Sequence, residues 1–279
     1  MNEKGDKTLP SPPSALSSPW LFFALVFCWT WFFWLSAAVL KTSIQTTLGG
    51  TLLLLGLLGP MAGGIGFTYL TQGKKGRREY WSRIVDLKRI PAKWYLVIFL
   101  FIPALMAIVV LLDVASGGNG TLVQVEKRVT PLLSAPLTIV PLALGVFVHG
   151  PIPEELGWRG YVLDRLQARW NALASSLILG AIWAVWHLPL FFIKDMIHHT
   201  QGVGSPWFWQ FEVGVIPMAV ILTWIFNNTR RSTLGAILFH FMANLTYQLA
   251  NVTAGTNFYS TLLWIIAAIA VVALGAGVR

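Results

Sequence analysis

Apolar runs of about 20 residues recur along this chain and restrict its fold more than any other feature. Lipid offers no partner for backbone N–H and C=O groups, so such runs cross a membrane as helices. The runs predict spans at residues 19–40, 51–70, 94–112, 134–166, 172–192, 207–226, 233–250 and 258–276. The sequence therefore predicts an all-α fold, a polytopic transmembrane helix bundle of about eight spans.

Composition supports an integral membrane protein. Only 11% of the residues are charged, against roughly 25% in an ordinary soluble domain. The net charge of +9 indicates cationic loops that face anionic lipid, and no nucleic-acid partner is predicted. A single cysteine, Cys28, excludes an internal disulfide and is expected to be a small buried hydrophobe. Residues 1–17 are predicted to be a disordered tail, and residues 18–279 one transmembrane domain.

The fourth predicted span is too long for a straight crossing and is interrupted at residues 149–153, His-Gly-Pro-Ile-Pro. Proline removes a backbone donor and disfavours helix in the residue before it. The sequence predicts a half-helix, a kink, and a new helix that starts at Pro153 and carries Glu154 and Glu155 in its first turn. Because broken backbone at membrane depth must be buried in protein or line a watery space, the break predicts a cavity.

Lysine and arginine are distributed unevenly between the two sides of the predicted bundle. One side collects 16 of the 20 and is expected to be cytoplasmic, with both chain termini and the mouth of the cavity. The membrane would be the cell membrane in a prokaryote and the endoplasmic reticulum in a eukaryote. The 16 residues are Lys4, Lys7, Lys74, Lys75, Arg77, Arg78, Arg83, Lys88, Arg89, Lys93, Arg159, Arg165, Arg169, Arg230, Arg231 and Arg279.

Three segments carry ionisable groups at membrane depth, where one charged side chain costs about 2.5–3.5 kcal/mol on insertion scales. In the first segment Glu155 and Arg159 are four residues apart on a helix and are predicted to pair. Glu154 faces elsewhere and is left free to act as a general base.

The other two segments carry histidines. Trp183 and His187 are four residues apart and share a helix face, as do His240 and Asn244. His240 and Asn244 could donate two hydrogen bonds to one point, which an oxyanion requires. One difficulty is depth, because His187 lies about 22 Å along its helix from the cytoplasmic side and His240 only about 10 Å along its own.

Other candidate sites are weaker. His198 and His199 lie in a polar loop and are expected to be solvated, and His149 at the kink is expected to be structural. Glu154, His187 and His240 could form a facial metal set, although their spacing does not demand one. His-Glu-x-x-His, Gly-x-Ser-x-Gly and Walker motifs are absent from the sequence.

The three segments resemble the CAAX-processing and bacteriocin-processing family (CPBP, also called Abi) of intramembrane endopeptidases, relatives of the type II CAAX prenyl protease. The family pattern of Glu-Glu-x-x-x-Arg, aromatic-x-x-x-His and His-x-x-x-Asn is present in order, within a core at about residues 137–249. The resemblance implies that Glu154 and His187 activate water, that His240 and Asn244 hold the oxyanion, and that Glu155 and Arg159 brace the site.

The function implied is cleavage of a peptide bond near the membrane-associated C-terminus of a peptide or lipidated protein, with prenylated CAAX-type proteins included. No cofactor is required by this reading, although a divalent metal such as zinc stays open. Two alternatives use the same residues: a non-catalytic scaffold for bacteriocin immunity or regulation, and a proton-coupled transporter with intramembrane Glu and His as its relay. The oligomeric state is left open.

Overall fold

The computed structural model describes residues 15–275, apart from the side chains of residues 15, 254 and 255, and contains no β-strand in that range. Short 3₁₀ turns cover Ala15–Ser17, Leu87–Arg89, Pro136–Thr138 and Leu188–Phe192. The α-helices are α1 (Pro19–Val39), α2 (Thr47–Leu57), α3 (Gly59–Thr71), α4 (Lys74–Val85), α5 (Ala92–Ala115), α6 (Gly120–Ser134), α7 (Ile139–Val148), α8 (Pro151–Gly157), α9 (Leu163–Gln167), α10 (Ala172–His187), α11 (Ile197–Gln201), α12 (Pro206–Asn228), α13 (Thr233–Ala250) and α14 (Ala254–Ala273).

The helices confirm the all-α membrane bundle. Seven helical stretches in the described residues are long and apolar enough to cross a membrane. They correspond to seven of the eight expected spans, and the second of them joins α2 to α3 at residue 58. The remaining expected span, residues 233–250, is the helix α13, which is not among the seven. The total of eight therefore stays a prediction.

The bundle has two ends, at which successive helices are connected. At the first, which we call the basic end, α3 leads into α4, and Asp164 of α9 binds both Arg83 and Arg231. Here too Trp20 of α1 packs on Trp170, with ring centroids 6.1 Å apart. At the second, the opposite end, Thr121 of α6 donates to Thr256 of α14 at 2.7 Å.

The fourth span is broken, as expected, but at a different residue. α7 ends at Val148, and the new helix begins at Pro151 with Gly150 before it, so it starts two residues earlier than Pro153. Pro151 needs no N–H at this position. Glu154 remains in the first turn, whereas Glu155 falls just beyond it. A π-helical turn, Trp158–Val162, joins α8 to α9.

Close contact between α3 and α8 fixes the position of the second half of this span. A methyl group on Gly64 would lie 2.4 Å from the carbonyl oxygen of Leu156, and one on Gly157 would lie 2.4 Å from that of Pro60. Both clashes involve backbone, which cannot swing aside. Small residues of this kind let membrane helices approach closely. The glycines therefore hold α8 against α3 and position the two glutamates that α8 carries.

Two further expectations concern Cys28 and the N-terminal tail. Cys28 is exposed on the outer surface of α1, so the prediction of a buried cysteine is wrong. Its neighbours Leu25, Trp29 and Phe32 are exposed as well, which gives α1 an apolar face toward lipid. The predicted disordered tail lies outside the described residues except for Ala15–Ser17, which form a 3₁₀ turn.

Candidate active site

The three ionisable segments meet in the interior of the bundle, on α8, α10 and α13. Glu154, Glu155, Arg159, His187 and His240 are each at most 8% exposed. Five ionisable side chains buried together must be paired or hydrogen-bonded, because an isolated buried charge costs several kcal/mol. The contacts among them decide what the group can do.

Glu155 is the central acceptor of this group. Arg159 Nη1 donates to Glu155 Oε1 and Oε2, each at 3.0 Å, as the four-residue spacing predicted. His240 Nδ1 donates to Glu155 Oε1 at 2.9 Å, and this contact joins α13 to α8. The guanidinium of Arg159 also lies 5.1 Å from the ring centroid of Trp183. Glu155 is therefore fully engaged, and it fixes the orientation of His240.

Glu154 is engaged on one side only. Trp183 Nε1 donates to Glu154 Oε2 at 2.6 Å, so the carboxylate is held by α10. On the same helix His187 Nδ1 donates to the carbonyl oxygen of Trp183 at 2.8 Å, so in a neutral ring Nε2 carries the lone pair. Nε2 lies 4.0 Å from Glu154 Oε2, beyond the length of a direct hydrogen bond. Trp183 thus orients both a carboxylate and an imidazole toward one gap.

The difference in depth between His187 and His240 is resolved by where α13 begins. Arg231, just before α13, binds Asp164, which is ten residues beyond Glu154 on the broken span. At 1.5 Å per residue, the path back from Asp164 to Glu154 is about 15 Å, and the path from Thr233 to His240 is about 10 Å. The contacts of His240 place it at the level of the site: Nδ1 lies 2.9 Å from Glu155 Oε1, and the ring centroid lies 5.4 Å from that of Trp183, one helical turn before His187.

Asn244 lies one turn beyond His240, at the break in the fourth span. A methyl group on Gly150 would lie 2.9 Å from Asn244 Nδ2 and 3.5 Å from Glu154 Oε1. Only a residue without a side chain leaves room for the amide there. The amide of Asn244 and the carboxylate of Glu154 therefore face the same space beside Gly150.

That space is a cavity of about 300 Å³. Its wall includes five of the expected site residues: Glu154, Trp183, His187, His240 and Asn244. The remaining lining residues are mostly apolar or aromatic: Trp34, Leu53, Leu57, His149, Trp186, Leu190, Met196, His198, Phe211, Val215 and Met218. An apolar cavity with a few convergent polar groups is typical of a ligand or active site.

His198 belongs to this cavity, so the expectation that it is solvated is wrong. Its ring packs edge-on against Phe191 and Phe211, with centroids 5.2 and 4.7 Å away, and Nδ1 is buried without a hydrogen-bond partner. Burial lowers the pKa of His198 to about 4, so the ring is neutral at neutral pH. The phenylalanines that draw it inward come from elsewhere in the chain, and no local sequence signal could have identified it.

Comparison with known proteins agrees with the geometry. Residues 136–246 match the family model "Type II CAAX prenyl endopeptidase Rce1-like", a range that contains all seven expected site residues. The chain is also 32% identical over 256 residues to CAAX prenyl protease 2 of Methanococcus maripaludis, an alignment that covers 90% of this chain and 92% of that protein. The resemblance inferred from the three motifs is thereby confirmed, and the chain belongs to the type II CAAX prenyl endopeptidase family of membrane peptide hydrolases.

Proposed function

We propose that this protein hydrolyses a peptide bond near the membrane-associated C-terminus of its substrate, with a water molecule activated by Glu154 and His187. The observation that carries the proposal is the 4.0 Å gap between Glu154 Oε2 and His187 Nε2. Two acceptors across such a gap suit a water that donates one hydrogen to each. The oxygen of that water would then present a lone pair to the cavity.

In this mechanism Glu154 is the general base. It takes a proton as the water attacks the carbonyl carbon, and it returns that proton to the amine that leaves when the C–N bond breaks. His187 accepts the second hydrogen bond of the water and orients it. Trp183 is a positioning residue, because its N–H holds Glu154 and its carbonyl holds His187.

His240 and Asn244 are proposed to stabilise the oxyanion of the tetrahedral intermediate. Asn244 offers its Nδ2 hydrogens beside Gly150. His240 uses Nδ1–H to bind Glu155, so Nε2 can donate only when the ring carries both protons. In that form the ring is charge-paired with Glu155, which in turn is held by Arg159. Glu155 and Arg159 thus act through His240.

The residues do not fit the metal set that Glu154, His187 and His240 could have formed. No three His, Cys, Asp or Glu side chains converge at ligand spacing in residues 15–275. Trp183 donates to the Glu154 oxygen nearest His187, so that oxygen already has a hydrogen-bond partner. No step of the proposed mechanism therefore passes through a metal or another cofactor.

The first experiment uses quenched peptides that end in a CAAX sequence, because CAAX prenyl protease 2 is the name of the relative. Detergent-solubilised protein is mixed with farnesylated and unmodified versions, with and without a chelator. We expect cleavage that the chelator leaves unchanged. Cleavage lost on chelation and restored by zinc would overturn the metal-free mechanism, and preference for one peptide would decide whether the substrate is prenylated.

Substitution of Gly150 by alanine tests the position of Asn244. The new methyl group would displace the amide of Asn244, and loss of one oxyanion donor costs about 10²–10³ in kcat. We expect a fall of at least about tenfold, since the amide is shifted rather than removed. Gly145→Ala is the control, because a methyl group there meets nothing within 4 Å. Equal kcat values for the two variants would count against a role for Asn244.

We propose that His198 Nδ1, which lies in the cavity wall without a hydrogen-bond partner, binds substrate, and substitution of His198 by alanine tests this contact. One neutral hydrogen bond contributes about 0.5–1.5 kcal/mol, so we expect KM to rise about 2- to 12-fold with little change in kcat. His199→Ala is the matched control, because His199 is exposed on the same short helix. If both variants behave alike in steady-state cleavage of one peptide, His198 does not contact substrate.

A further inference from the structure

We propose that the outer face of α4 binds anionic phospholipids of the surrounding bilayer through their headgroups. Three features of the molecule point to such a ligand: the arrangement of basic and apolar side chains along α4, the lack of protein partners for those basic side chains, and the position of α4 directly after a membrane span. None of the residues of α4 lines the cavity, so binding here does not depend on the proposed peptidase mechanism.

One face of α4 carries a stripe of basic and apolar side chains. Lys74, Arg78, Trp81 and Val85 are all exposed. Their spacings of four, three and four residues place them within about 60° of one another around the helix, since an α-helix turns about 100° per residue. Lys75, beside the stripe, is exposed as well. The first half of the outer face is therefore cationic, and the second half is aromatic and apolar.

The cations of this outer face have no acidic partner in the part of the chain that the structure describes. The three acidic side chains at the basic end pair with other basic residues, so Lys74, Lys75 and Arg78 are left uncompensated within five residues of chain. Uncompensated charge of this density attracts anions. The three acidic residues are Glu79, Asp86 and Asp164, and their partners are Arg83, Arg89 and Arg231.

The position of α4 brings this charge to the level of lipid headgroups. α4 begins at the third residue after α3, which ends one candidate membrane span, and the next span is α5. Trp81 Nε1 donates to the hydroxyl of Tyr69, near the end of α3, at 3.2 Å, and both rings are exposed. Trp and Tyr are enriched where a membrane meets water. The outer face of α4 therefore lies where phosphate groups of the bilayer are available.

The apolar half of the outer face favours a lipid over a soluble anion. Val85 is 68% exposed, and Leu87, just beyond the end of α4, is 61% exposed. A basic helix that also presents Trp and aliphatic side chains is typical of a segment that lies in the membrane interface. A free phosphate would leave these apolar side chains in water, whereas the acyl region of a phospholipid covers them while its phosphate binds Lys74 and Arg78.

The inner face of α4 fastens the helix to the segment that carries the glutamates. Tyr80 is 2% exposed, and its hydroxyl donates to the carbonyl oxygen of Leu156 at 3.0 Å. Arg83 of α4 also binds Asp164 of α9. A ligand that binds the native protein and not the unfolded chain stabilises the fold. Because α4 is packed in this way, lipid bound to its outer face should raise the unfolding temperature of the whole protein.

Thermal unfolding of the full chain in detergent measures this binding. Phosphatidylglycerol is titrated into the micelles, and phosphatidylcholine with the same acyl chains is the neutral lipid. We expect phosphatidylglycerol to raise the unfolding temperature clearly more than phosphatidylcholine does. About 1 kcal/mol per basic residue corresponds to about a fivefold change in affinity. Arg78→Gln should therefore need about fivefold more phosphatidylglycerol for the same shift, and Lys74→Gln/Lys75→Gln/Arg78→Gln about 10²-fold more.

The matched control removes the same charge from the opposite end, where Lys41, Lys127 and Arg128 are also exposed. We expect the triple glutamine variant of these residues to respond to phosphatidylglycerol as the wild type does. An equal loss of response in both triple variants would replace the proposed site by a general effect of net charge. Equal shifts with the two lipids, or the same shift with inorganic phosphate alone, would also overturn the proposal.

Discussion

Replacement of Glu154 by glutamine is expected to lower kcat by about 10³-fold, within the range of 10²–10⁴ that a general base contributes. Glutamine keeps the shape of the side chain and can still accept the hydrogen bond from Trp183 Nε1. It cannot take a proton from water. The fold should therefore survive while catalysis is lost. The test is to measure kcat and the thermal unfolding temperature of the wild type and of Glu154→Gln.

Glu212→Gln is the matched control for this substitution. Glu212 is likewise carried by a membrane-spanning helix, α12, and one of its oxygens is also buried. It does not line the cavity. We expect its glutamine variant to keep kcat within about twofold, since its carboxylate has no part in the chemistry. If the two variants lost activity equally, a general effect of neutralising membrane carboxylates would replace the proposed base.

Replacement of Arg159 by methionine is expected to destabilise the protein by about 3–5 kcal/mol, because it removes the guanidinium that compensates the buried charge of Glu155. Activity should be lost as well, since Glu155 orients His240. Arg89→Met is the control: Arg89 pairs with Glu79, whose side chain is 43% exposed at the basic end. Surface pairs of that kind contribute about 0–1 kcal/mol. Thermal unfolding in detergent measures the loss of stability in both variants.

A double substitution separates the stability of this pair from its function. Replacing Glu155 and Arg159 together by leucine removes both charges, and such replacements often restore stability. We expect the double variant to unfold at a higher temperature than Arg159→Met. It should remain inactive, because His240 has lost its carboxylate partner. An active double variant would show that the ion pair serves folding alone.

The sequence predicted the interior of the site better than its surroundings. Glu155 and Arg159, four residues apart, do pair, and Trp183 and His187 do share a face, because helix geometry fixes both spacings. The break after His149 followed from Gly-Pro. The exact start of the new helix at Pro151 could not be predicted, because Pro153 satisfies the same local rule for the first helical position.

What the sequence missed depends on contacts between distant segments. His198 sits in a polar stretch, and only its packing on Phe191 and Phe211 brings it into the cavity. α4 and α6 were not anticipated, because they are too polar for a hydropathy pattern to identify as spans. The level of His240 is shown by its contacts with Glu155 on α8 and Trp183 on α10, which no pattern within α13 reports.

The most direct test of the account is a double-mutant cycle on Glu154 and His187. kcat/KM for one quenched peptide is measured with wild type, Glu154→Gln, His187→Ala and the double variant. Groups that activate the same water act as a unit, so the double variant should be about as slow as the slower single variant. If the two losses multiply, the residues act independently and the shared water is contradicted.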